Sequence, residues 1–162
     1  MKNLTSLIAI FVGIFFLAFN VSAASNKEVP KTASNKSAEM ASLNQTISIN
    51  VESRQLNVDS NGQALAVFKY AISNVGNKPI SGIDWLSVYV NNREVVHSQE
   101  MKIDLASPLM PGKSLAINLQ VPFVQIQEKF RPIFMDTQAK IDVYPVDRII
   151  RFSDKKELRE SK

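Results

Sequence analysis

Few side chains in this chain have the chemistry of a catalytic or metal site. It has 162 residues, one histidine and no cysteine. The absence of cysteine excludes a thiol nucleophile, a thiolate zinc site, a disulfide framework and a lipidated export cysteine. His97 and Met101 form the one pair of soft metal donors close in sequence. Two ligands do not make a selective metal site, and the pair reads instead as a half-exposed strand histidine beside a core methionine. Nucleophilic catalysis would need His97 as the base with Ser98 or Ser87 as the nucleophile. Neither serine sits in a G-x-S-x-G or S-x-x-K motif. Asp84, Glu94, Glu100, Asp104, Asp136 and Asp142 are spaced as solvent-facing neighbours of apolar positions, so they read as a charged sheet face and not as paired acid and base. With five glycines and no P-loop or G-x-G-x-x-G, there is no nucleotide signature. No cofactor is expected, and the chain reads as a non-enzyme.

Binding chemistry is better represented. Trp85 and Tyr89 lie four residues apart on an expected strand and so share a face. If exposed, that face is a stacking platform for an envelope glycan. If buried, Trp85 is the core tryptophan. A second group, Phe130, Arg131, Phe134 and Met135, lies in Gln125–Asp136 and combines the aromatic, methionine and arginine side chains that interface hot spots favour. The alternative is that Phe130 and Phe134 plug one end of the core. Tyr144 and Phe152 form a further aromatic pair near the C-terminal edge.

Strands must position these residues. Ile47, Ile49 and Val51 alternate with polar residues, and Leu56 and Val58 make a second short run. Asp59–Gly62 is a turn. Ala66, Phe68, Tyr70 and Ile72 share a strand face, and Ile83–Val90 is apolar on both faces. Asn91-Asn92 reads as a tight turn and Ser107–Gly112 as a loop broken by two prolines. Leu115, Ile117, Leu119 and Val121 give the clearest alternation. Residues 123–134 fit neither period cleanly and read as an irregular or short helical crossover that Pro132 stops. Strands near Ile141 (ending about Pro145) and at Ile149–Phe152 (a last edge) complete about seven.

Short strands separated by turns predict an all-β fold, a single antiparallel β-sandwich over residues 44–152. Phe68-x-Tyr70-x-Ile72-x-Asn74-x-Gly76, followed by Ile80 and Trp85, resembles the B–C hairpin of immunoglobulin-like and fibronectin-III-like modules. The resemblance is at superfamily level and implies the sandwich, with Trp85 in its core. The cysteine pair and tyrosine corner of antibody domains are missing.

The N-terminus sets the compartment. Lys2, the apolar run Leu4–Phe19 and Val21-Ser22-Ala23 form a secretory signal peptide over residues 1–23. An uncleaved anchor facing the periplasm from the inner membrane is the alternative, although the run is shorter than the roughly 20 residues of a spanning helix. Export without cysteine suits the Gram-negative periplasm. Residues 24–43 read as a flexible tether and 153–162 as a polar, frayed C-terminal tail. The net charge of +4 lies in the ends, since the body 44–146 carries nine basic and nine acidic residues. A nucleic-acid partner is therefore not expected, and membrane contact after cleavage is weak or nil. The expected partner is another cell-envelope protein, bound through a free sheet edge such as Ile47–Val51 or Ile149–Phe152, or through the 125–136 loop.

Overall fold

A computed structural model describes residues 40–160. The signal peptide and residues 24–39 of the tether lie outside the described residues. Seven strands form two antiparallel sheets: β1 (Ile47–Val58), β2 (Ala64–Asn74), β3 (Ile80–Asn91), β4 (Glu94–Leu109), β5 (Ser114–Pro122), β6 (Asp142–Phe152) and β7 (Glu157–Arg159). The first sheet has the order β1-β2-β5 and the second β4-β3-β6-β7. The expected all-β sandwich is what the chain forms. Between β5 and β6 runs a crossover of two single 3-10 turns and one short helix, α1 (Arg131–Met135). Among the described residues no helix is long and apolar enough to cross a membrane.

The two sheets meet over Ile49, Phe68, Tyr70 and Ile72 on one side and Ile83, Trp85, Tyr89, Met101 and Ile150 on the other. Hydrophobic burial on this scale is the main driving force for a domain of this size. Asn74 organises one end. Its buried amide donates to the carbonyls of Lys78 and Leu109, each at 2.8 Å, and its Oδ1 accepts from the Gly76 N–H at 3.1 Å. The pattern that resembles a B–C hairpin thus ends on a residue that ties the β2–β3 and β4–β5 turns together.

Several boundaries differ from expectation. β1 is one strand, because a bulge at Val51/Ser53 absorbs the break in alternation. The β3–β4 turn is made by Asn92 and Arg93, both at positive φ, one position later than Asn91-Asn92. β4 continues through Ser107-Pro108, where a loop was expected. Residues 105–108 bulge between the Gly82–Asp104 and Ile80–Leu109 pairs, and an edge strand tolerates a proline because one side needs no donor. The turn proper is Met110–Lys113, closed by Lys113 N–H to the Met110 carbonyl, with Gly112 at φ +72°. Pro132 does not stop an element; it stands in the first turn of α1, where its missing N–H costs nothing.

The domain is also larger than residues 44–152. Residues 40–44 are helical, and Leu43 is fully buried in the core. Ile149–Phe152 is no edge: it lies inside β6, between β3 and β7. The expected frayed tail forms β7, pairing Glu157–Arg159 with Arg151–Ile149. The buried Arg148 fastens both ends, with its Nη1 on the Asn44 Oδ1 at 2.8 Å and its Nε on the Glu160 Oε2 at 3.3 Å.

Candidate functional site

Trp85 and Tyr89 do share a face, and it is the inner one: they are 2% and 0% exposed. The glycan platform is therefore overturned. Their polar ends are spent internally. The Trp85 indole N–H donates to the Ser87 hydroxyl at 2.8 Å, which meets the Tyr70 hydroxyl at 3.0 Å, and Tyr70 meets Tyr89 at 3.3 Å. Burial raises the pKa of both tyrosines. This buried chain is a packing device, and it removes Ser87 as a nucleophile.

Phe130 and Phe134 are buried too, at 6% and 0%. Phe134 sits 6.3 Å from Phe68 and 6.0 Å from Tyr89, ring centre to ring centre. Arg131 turns back on the crossover and donates through Nε to the carbonyls of Phe123 and Ile126 at 3.0 and 3.1 Å. From sheet β1-β2-β5, Arg54 holds the same segment through the carbonyls of Ile133, Asp136 and Ala139. Of the four residues read as a hot spot, only Met135 presents a large apolar group to solvent. The crossover is a plug tied down by two arginines, which removes the expected partner site there.

His97 and Met101 both point inward from β4 but gather no further ligands. His97 packs on Tyr89 at 5.5 Å and on the edge of Phe134 at 6.2 Å. Its Nε2 is buried with no hydrogen-bond partner, and burial lowers its pKa. Ser98 is on the opposite face of β4. Among the described residues no three potential metal ligands lie together. The carboxylates read as solvent-facing include an ion-pair triad that spacing could not show: Arg151 on β6 bonds Asp84 on β3 and, at 2.8 Å, Asp104 on β4. Hydrogen bonding to Asp84 raises the Arg151 pKa further.

What remains is the outer face of the β4-β3-β6-β7 sheet. Outward side chains of β3 are Leu86, Val88 and Val90, none of them buried. Leu86 stands opposite Val146, Val88 opposite Tyr144, and Asp84 opposite Ile149. Tyr144 is 52% exposed, and Val146 and Ile149 are partly so. Across β3 on the other side, Ser98, Glu100 and Lys102 of β4 form a polar border, while Val95, exposed opposite Val90, continues the apolar patch at one end. Lys140–Asp142 and the Arg151–Asp84 pair border two other sides. A shallow cavity of about 470 Å³ opens at one corner, walled by Asp84, Leu86, Glu100, Lys102, Asp147 and Ile149. An antiparallel sheet usually turns a polar face to water when only its other face is packed. In this sheet β3 and β6 are apolar on both over Leu86–Val90 and Tyr144–Val146. An apolar centre beside a polar rim is a form that interaction surfaces take. The sequence signalled it in the run Ile83–Val90, apolar at every position but Asp84 and Ser87. Its partners across β6 depend on register and on the bulge between Asp84 and Leu86. No protein-family model matches the chain, and no curated protein matches it in sequence.

Proposed function

We propose that this chain is an exported, non-catalytic β-sandwich of the Gram-negative periplasm that binds another cell-envelope protein through the outer face of β3 and β6. The observation that carries the reading is the second apolar face of β3. Leu86, Val88 and Val90 face out with Tyr144 and Val146 beside them, while Trp85 and Tyr89 fill the core behind. The leader pattern over residues 1–23 supports export. The three-plus-four strand order and the core tryptophan support reading the sandwich as an immunoglobulin-like or fibronectin-III-like module.

Val88→Lys tests this. Val88 lies at the centre of the outer face, and a lysine there keeps its charge in water in the free protein but is trapped in a dry interface. The wild-type chain is expected to capture a defined envelope protein from membrane and periplasmic extract, and Val88→Lys to lose it while keeping the wild-type near-UV circular dichroism. A complex that survives Val88→Lys and Tyr144→Glu contradicts the reading.

A further inference from the structure

Among the described residues the free edges are β1 and β5 of one sheet and, in the other, β4, β7 and the stretch Asp142–Arg148 of β6 that β7 leaves uncovered; the β6 stretch carries Asp142, Pro145 and Asp147, and the other edges except β5 also carry devices that deter pairing. β1 has a bulge at Val51/Ser53 and the charges of Glu52 and Arg54. β4 bulges twice and carries Glu94, Glu100, Lys102, Asp104 and Pro108. β7 is three residues long, two of them charged. Such features blunt sheet edges in native proteins. Of these devices β5 has only Pro122, which ends its ladder. Its nine residues, Ser114–Pro122, contain no charge, and their pairing with β2 runs from Ser114 to Pro122 without a register shift. The single proline stands at the last position.

The β5 pattern also complements itself. Leu115, Ile117, Leu119 and Val121 point inward, and the first three remain partly exposed although they face the core. Ser114, Ala116, Asn118 and Gln120 are exposed on the outer side. When two such strands run antiparallel about a two-fold axis through Asn118, Ile117 faces Leu119 and Leu115 faces Val121. Ala116 then faces Gln120, and Asn118 faces its own copy. Every pair matches apolar with apolar or uncharged with uncharged. The same operation on β1 or β4 sets charged side chains and bulges against each other. One edge carbonyl is already engaged, because the Gln99 amide on β4 donates to the Gln120 carbonyl at 3.3 Å. That long, exposed bond is easily exchanged for a ladder bond.

We propose that the partner of the β5 edge is a second copy of this chain, joined by antiparallel β5–β5 pairing into a continuous six-stranded sheet with the order β1-β2-β5-β5-β2-β1. A two-fold contact of this kind is closed, so it yields a dimer and leaves no β5 edge for further growth. It also leaves the outer face of β3 and β6 free, so the two surfaces are independent.

The chain has no cysteine, so one introduced thiol reports cleanly. In the full chain secreted through its own leader, Asn118→Cys is expected to form a disulfide dimer under mild oxidation, because directly opposed strand residues fall within disulfide reach. Ser60→Cys, in the β1–β2 turn, is the control and should stay monomeric. Sedimentation should give twice the chain mass for the wild type. Asn118→Asp sets two carboxylates opposite each other and should give the monomer mass, as should Asn118→Lys, whereas an equimolar mixture of the two should return to twice the chain mass. Val88→Lys should leave the dimer intact. A wild-type chain that sediments as a monomer overturns the proposal, even if the outer face still captures its partner. So does a dimer that Asn118→Cys fails to trap, or a charge-swapped pair that does not associate.

Discussion

Glu160 is the sharpest test of where this domain ends. Its side chain is 11% exposed against 10% for Arg148, and one carboxylate oxygen accepts from both the Arg148 Nε and the Arg148 backbone N–H, at 3.3 and 3.2 Å. Glu160→Ala leaves the guanidinium buried with only the neutral Asn44 oxygen as partner. Removing one member of a buried pair costs about 3–5 kcal/mol, and the Asn44 bond that remains on Arg148 favours about 3. With a urea dependence of roughly 1–3 kcal/mol/M, the unfolding midpoint should fall by about 1–3 M. Glu160→Gln keeps an acceptor and exchanges a charged hydrogen bond for a neutral one, so it should cost only about 1 kcal/mol. The double variant Arg148→Met with Glu160→Leu removes both charges and should come within about 1 kcal/mol of wild type. The assay is equilibrium urea unfolding followed by Trp85 fluorescence. If Glu160→Ala unfolds at the wild-type midpoint, residues 153–160 are a tail after all, and the ion pair does not hold the ends together.

Three further outcomes follow from the core. Phe134→Ala should destabilise the fold by about 3–5 kcal/mol, whereas Met135→Ala next to it should change stability by less than about 0.5 kcal/mol, both read by thermal unfolding. Trp85 should emit as a buried indole, resist acrylamide quenching, and not respond to envelope glycan fragments. His97 has a lowered pKa because it is buried, so protons bind the unfolded chain more readily than the folded one. Stability from this group is complete above its unfolded pKa near 6.5 and declines as pH falls below that, towards the folded value. His97→Gln should flatten the wild-type slope between neutral and mildly acidic pH, and an unchanged slope would show that His97 is not the group responsible.

The sequence carried the strands better than the side-chain partners. Period-two alternation located β2 and β5 because their inward residues are apolar from Ala66 to Ile72 and from Leu115 to Val121, and β3 showed as a run apolar on both faces. It broke β1 in two, since a bulge shifts the period by one residue, and it stopped β4 at a proline that an edge strand can hold. The C-terminal strand was hidden for another reason. Glu157–Arg159 has one apolar residue, and its place depends on the fixed edge of β6 and on an ion pair 12 residues apart. The spacing of Trp85 and Tyr89 puts them on one face, but which face is core depends on the second sheet. Phe130 and Phe134 followed the same logic, because a crossover rich in aromatics is equally consistent with a plug and with a hot spot until the open end of the sandwich is seen. The outer face was half legible: Leu86, Val88 and Val90 are visible in the run, while Tyr144 and Val146 join them only through register.

The outer face of β3 and β6 is proposed as a docking surface. The most direct measurement is amide hydrogen exchange of the chain alone and with its captured envelope partner. Binding should slow exchange in β3 and β6, over Leu86–Val90 and Tyr144–Val146, and leave the crossover at Arg131–Met135 unchanged. Slowed exchange confined to the crossover, with β3 and β6 unaltered, would contradict this docking surface.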